Sequence, residues 1–148
     1  MLSEMQMIMR LLLSAVLGGA VGFERELHEK AAGFRTHILV CLGSCIIMLT
    51  SIHMFEIYNG IANVDPGRIA AQVVSGIGFL GAGTILRSRT SIVGLTTAAS
   101  LWAIAGIGLS VGSGLYFVAS FTAALMLAIL IVLNKFEKKI TARVKSKA

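Results

Sequence analysis

The chain has 148 residues, 56% hydrophobic and 14% charged, with a mean hydropathy of +0.86 and a formal net charge of +6. A soluble domain carries about 25% charged residues, so this composition excludes an ordinary soluble fold and points to a membrane protein. Its apolar runs of about 20 residues match the ~30 Å of hydrocarbon that a helix has to cross.

The predicted fold is all-α, with five spans. The first runs over Met5–Phe23. No Lys or Arg precedes Arg10 and no small-residue cleavage site stands out, so it reads as a retained helix rather than a signal peptide. Arg10, one turn into the span, has to snorkel outward or find a partner near that edge. The span ends in Glu24-Arg-Glu26.

The second span, Thr36–Phe55, opens on Arg35-Thr-His37. Glu24, Arg25, Glu26, Arg35, Thr36 and His37 are therefore expected to form a polar network at one membrane edge. His37, Cys41 and Cys45 follow one another at helical spacing along one face. Soft ligands in such a row suit a transition metal. One helix cannot close a tetrahedral set, however, and buried free cysteine behaves as a small apolar residue, so no metal is assigned. Cysteines one helical turn apart are also poorly placed for a disulfide.

The third span, Ile69–Leu86, is preceded by Asp65-Pro-Gly-Arg68. Asp65 is placed to cap this helix and Pro66 to occupy its first turn, where a missing N–H is tolerated. Arg68 needs a partner, which Asp65 or Glu56 could supply. Asp65, Arg68 and Gln72 make up a second expected polar network, at the opposite edge. Gly76, Gly78 and Gly81 match G-x-G-x-x-G, but that fingerprint requires a strand before it and an acidic residue about 20 positions on. The next acidic residue after Asp65 is Glu137, so a dinucleotide site is excluded. In a bilayer, small residues serve to bring helix backbones together. Ala71, Ser75, Gly78 and Ala82 form one stripe, and Gly76, Gly81 and Gly83 line another side. This predicts a central third helix gripped by several neighbours. The alternative is a broken helix facing a substrate.

The fourth span covers Ile92–Val111, and Thr96, Thr97 and Trp102 are expected to pack against the third. Gly108-Leu-Ser-Val-Gly112 matches G-x-S-x-G, yet a nucleophile elbow needs an acid and then a His downstream. His28, His37 and His53 all lie upstream, which argues against a hydrolase, and neither an enzyme nor a cofactor is expected. The fifth span, Leu115–Leu133, has few glycines and suits an outer, lipid-facing place. Residues 1–134 thus form the membrane domain and 135–148 a basic tail. In that tail Phe136, Ile140 and Val144 recur every four residues among Lys135, Lys138, Lys139, Arg143, Lys145 and Lys147. It is expected to lie on anionic lipid at about 1 kcal/mol per basic residue, and the charge calls for no nucleic acid.

Arg25, Lys30 and Arg35 separate the first two spans, and Arg87 and Arg89 separate the third and fourth; the 56–67 loop and the Gly112–Gly114 turn have no Lys or Arg. The positive-inside rule then sets the N-terminus outside and the C-terminus in the cytoplasm. Leu17-Gly-Gly-Ala20 before Gly33-Phe-Arg-Thr36, and Leu80-Gly-Ala-Gly83 before Gly94-Leu-Thr-Thr97, suggest a direct repeat of a two-helix hairpin. All seven acidic residues fall near or beyond span ends, so a carboxylate relay through the membrane is absent.

Gly18-Gly-Ala-Val-Gly-Phe-Glu-Arg-Glu26, Gly33-Phe-Arg-Thr-His37, Asp65-Pro-Gly-Arg68 with Gln72, Ser75–Gly83 and Gly94-Leu-Thr-Thr-Ala-Ala-Ser-Leu-Trp102 occur in that order. Together they resemble the MgtC/SapB family of bacterial inner-membrane proteins. The resemblance implies a five-helix module linked to growth in low magnesium and to virulence. It also implies action through other membrane proteins, such as the F-type ATP synthase and sensor kinases. Longer members carry a soluble cytoplasmic domain after the fifth helix, where this chain has only the basic tail. The expected function is a self-associating regulator of partner membrane proteins. The alternative is a small oligomeric Mg2+ transporter or channel, with a path lined by Gln72, Thr84, Thr96 and Thr97.

Overall fold

A computed structural model describes residues 2–61, 64–87 and 91–145, with side chains described through Asn134 and at Phe136. The elements are α1 (Glu4–Leu27), α2 (Phe34–Tyr58), α3 (Pro66–Gly83), β1 (Leu86–Arg87), β2 (Ile92–Val93), α4 (Leu95–Ser113) and α5 (Tyr116–Lys145).

Local chemistry sets most of these boundaries. Ser3 and Gln6 form a reciprocal capping box that starts α1. Gly33 offers α2 no side-chain cap, and the Glu26 carboxylate accepts from the Phe34 N–H at 2.9 Å instead, tying the end of α1 to the start of α2. Asp65 accepts from the Gly67 N–H at 2.8 Å and Pro66 fills the first turn of α3, as expected. Gly114, at φ 93°, closes α4, with its N–H on Val111 O and the Leu115 N–H on Ser110 O.

Two span boundaries differ from the sequence reading. The third helix stops at Gly83 rather than Leu86, and the fourth starts at Leu95 rather than Ile92. The residues between include β-branched Ile92 and Val93, and they pair antiparallel as Leu86↔Val93 and Arg87↔Ile92. Helices α1, α2 and α4 and the Tyr116–Asn134 part of α5 are each long and apolar enough to cross a membrane. The 18-residue α3 is about 27 Å long and carries Pro66, Arg68 and Gln72 in its first two turns.

The largest correction concerns which helix is central. Only Ile77 and Gly81 of α3 are buried, and a methyl group built on Gly76, Gly78 or Gly83 would meet nothing within 4 Å. The centre is formed by α1, α2 and α4, with α3 and α5 outside. Two G-x-x-x-G pairs hold it. A Cβ on Gly18 would lie 2.7 Å from His37 O, and one on Gly22 2.9 Å from Phe34 Cα. On the other helix, a Cβ on Gly112 would lie 2.7 Å from Met48 Cβ, and one on Gly108 would collide with Cys41 O. Backbone contact between α2 and both neighbours therefore depends on these four glycines. Val21, Cys41, Cys45, Ile104, Ile107 and Val111 fill the space between them. A smaller cluster of Ile77, Leu101, Ala105 and Ala32 seats α3 on α4.

Candidate functional site

At the end of the bundle holding the α1–α2 turn, charged side chains are buried rather than exposed. Glu24 is 5% exposed and Arg25 2%. Adjacent helical residues do not normally face each other, yet Arg25 Nε donates to Glu24 Oε2 at 2.5 Å. The other carboxylate oxygen, Oε1, lies 3.1 Å from His28 Nδ1. That nitrogen is also 2.9 Å from the Glu24 backbone oxygen, and Oε1 has no hydrogen bond of good geometry.

His37 is wholly buried and joins α2 to α4. Its Nδ1 donates to Gly33 O at 2.9 Å, which leaves Nε2 facing Ser100 Oγ at 3.0 Å. Ser100 Oγ in turn donates to Thr97 O at 2.7 Å. Two polar groups therefore lie at this end of the bundle, Glu24, Arg25 and the half-buried His28 on one side and His37, Ser100 and the Thr97 backbone oxygen on the other, with Arg25 and Glu24 near enough to act on His37 electrostatically.

Of the six residues expected at this edge, the structure brings Glu24, Arg25 and His37 together. Glu26 caps α2, and Arg35 and Thr36 turn away into a groove between α2 and α3. That groove has a volume of about 910 Å³, is lined by Leu39, Gly43, Val73 and Gly76, and has Arg35 and Arg68 among its walls. The side chains of Asp65, Arg68 and Gln72 are not bonded to one another. Asp65 caps α3 and its backbone oxygen accepts from the Arg68 N–H at 3.2 Å, while the side chains of Arg68 and Gln72 line the groove with no hydrogen-bond or ion-pair partner among the described residues. Thr97 is buried and Thr96 exposed at the start of α4, and neither holds α3; Gly81 against Ala98 does. Trp102 is 59% exposed beside Val74 and Ile77 of α3, at the edge of a shallow pocket. The tail residues Lys135, Lys138, Lys139, Arg143, Lys145 and Lys147 lie outside the described side chains, although the α5 backbone stays helical to Lys145.

Sequence reasoning missed Ser100, Tyr116 and the two close-contact glycine pairs. At the opposite end, Arg10 is buried without a carboxylate among the described residues. Its Nε donates to Tyr116 Oη at 2.8 Å and its Nη1 to Gly112 O at 2.7 Å. The cation thereby sits at the C-terminal, negative end of α4 and clamps α1, α4 and α5. No group of three His, Cys, Asp or Glu among the described residues is arranged to hold a metal.

The model of the MgtC family matches residues 11–139 of this chain. YhiD of Escherichia coli K12, whose name makes it a candidate magnesium transporter, is 45% identical over 132 residues, covering 88% of this chain and 61% of YhiD. The protein MgtC of Salmonella typhimurium LT2 is 41% identical over 133 residues, covering 90% of this chain and 54% of its own length. A Haemophilus influenzae protein is 44% identical over 122 residues. The chain thus spans between half and two thirds of these relatives' lengths. No solved structure matches it. A family match over most of the chain and a bundle of long apolar helices agree: this multi-pass inner-membrane protein belongs to the MgtC family.

Proposed function

We propose that the chain is a non-enzymatic regulator that acts on partner membrane proteins during adaptation to low magnesium or host stress. The observation that carries this reading is α3. Gly76, Gly78 and Gly83, with the exposed Ala71, Ser75 and Ala82, face outward beside a groove that no other element fills among the described residues. Between helices in lipid, such a surface favours close packing of another helix. By family resemblance the partners are membrane complexes such as the ATP synthase, sensor kinases or a second copy of the chain. The N-terminus lies outside and the C-terminus in the cytoplasm, where the basic tail rests on anionic lipid.

The second reading, magnesium transport, draws on the name of the Escherichia coli relative. The geometry favours it less. Gln72 lines the α2–α3 groove, Thr96 and Thr97 line a separate pocket, and Thr84 Oγ1 is spent on Gly81 O. The test is Gly78→Leu in cells grown at low magnesium. A Cβ at Gly78 meets nothing within 4 Å, so a side chain there starts into open space, and the expected effect is a blocked outer surface on a retained fold. Lost growth support with an unchanged melting curve supports the regulator; unimpaired growth refutes the role given to α3.

A further inference from the structure

A pocket of about 490 Å³ opens beside the buried cluster, between the end of α1, the start of α4 and the last apolar turns of α5. Its polar wall has three sources of unmet donors. The first is the α4 N-terminus. Gly94, at φ 94°, supplies no capping side chain, and any Cβ there would strike Thr84 O, so the position stays glycine and the helix stays uncapped. A helix start leaves its first N–H groups without intrahelical acceptors and carries a partial positive charge. Among the described residues, no acceptor meets the N–H of Leu95, Thr96 or Thr97.

The second source is Thr97 itself. The residue is 3% exposed and lines the pocket, and its hydroxyl, bonded to no described residue, is not sealed in the protein like Glu24 Oε1 but open to the cavity. The third is Arg25, which spends Nε on Glu24 while its two terminal nitrogens have no acceptor among the described residues. Lys30 adds an exposed cation to the wall, and Asn134 adds an amide. Glu24, the carboxylate bound to Arg25, does not line the pocket.

Buried donors, a helix N-terminus and a lysine around one cavity are the chemistry of a phosphate site. The remaining wall is aliphatic, including Ile92, Leu95, Ile129 and Leu133, and it sits at the level where the apolar part of α5 ends. We propose that this pocket binds a phosphate group, presented by an anionic phospholipid headgroup or as free phosphate, on Arg25, Lys30, Thr97 and the α4 N-terminus.

The experiment uses the full chain, delipidated in detergent. Dioleoyl phosphatidylglycerol is titrated by native mass spectrometry and inorganic phosphate by calorimetry, for wild type, Thr97→Val and Lys30→Gln. Thr97→Val is close to isosteric and removes a hydroxyl with no partner among the described residues, and Lys30 is exposed, so both variants keep the wild-type melting curve. A hydrogen bond to a charged group contributes about 1.5–3 kcal/mol, which predicts roughly tenfold weaker binding, or more, for Thr97→Val. Lipid arising at the basic tail is bound equally by wild type and Thr97→Val, so the difference between them reads the pocket. Sensitivity in the phosphatidylglycerol titration alone assigns the site to lipid; sensitivity in the phosphate titration assigns it to the free anion. Absence of binding in both, or binding that neither variant weakens, overturns the proposal.

Discussion

Replacing Gly18 by alanine adds one methyl group where α1 lies against the backbone of α2. That methyl would stand 2.7 Å from His37 O, 2.9 Å from Cys41 Cβ and 3.1 Å from Ile38 Cα. None of these atoms is the loose end of a flexible side chain, so relief requires the helices to part until 2.7 Å becomes the 3.4 Å of ordinary contact. Overpacking of this kind costs about 1–3 kcal/mol, and rigid neighbours place Gly18→Ala at the upper end. The gain in helix propensity from Gly to Ala offsets about 1 kcal/mol. The net loss is about 2 kcal/mol, a factor of roughly thirty in the folded-to-unfolded ratio. Gly78→Ala is the control: its methyl meets nothing within 4 Å, so stability is unchanged or rises by up to about 1 kcal/mol. Unfolding in mixed micelles, driven by a denaturing detergent and followed by helical circular dichroism, measures both. Gly18→Ala at wild-type stability together with a destabilised Gly78→Ala would refute this arrangement of helices.

Tyr116→Phe removes the acceptor of Arg10 Nε and leaves a charged donor unpaired at a buried site, with an expected loss of about 1–3 kcal/mol in the same unfolding measurement. Ser100→Ala strands His37 Nε2 between α2 and α4 and is expected to lower stability by a similar 1–3 kcal/mol, roughly the penalty for an unsatisfied buried group. Glu24→Gln alone leaves Arg25 buried without its counter-charge and should cost about 3–5 kcal/mol. The double variant Glu24→Gln/Arg25→Met should cost clearly less than the sum of the singles, and strict additivity would argue against the pair. Gly94→Ala combines a left-handed backbone with a clash on Thr84 O, and a melting temperature equal to wild type would contradict the turn geometry.

Much of this architecture was legible from residue types. Hydrophobic run length located five helices, and Asp65-Pro66 marked the start of α3 correctly because a cap and a first-turn proline act locally. The meeting of Glu24, Arg25 and His37 could also be anticipated, since a turn of a few residues brings the end of one helix beside the start of the next. The place of α3 could not. Small residues permit a close approach without stating that a neighbour is there, and in lipid an outward face is as apolar as an inward one. The same ambiguity hid Gly108 and Gly112, whose spacing also fits a nucleophile motif; only the packed helices show that they admit the Cys41 and Cys45 backbone. Arg10 resisted prediction for another reason. Its partners are a carbonyl at the end of α4 and the first residue of α5, more than 100 positions away.

In the proposed function, a glycine-packed bundle presents surfaces to other membrane components instead of conducting an ion. The most direct test is magnesium uptake into liposomes containing the purified chain, read by an entrapped Mg2+ indicator, with Asp65→Asn and empty liposomes alongside. The account predicts uptake no faster than in empty liposomes, from protein whose helical spectrum shows it folded. Saturable uptake that depends on the chain would contradict it, and loss of that uptake in Asp65→Asn would place the path at the start of α3.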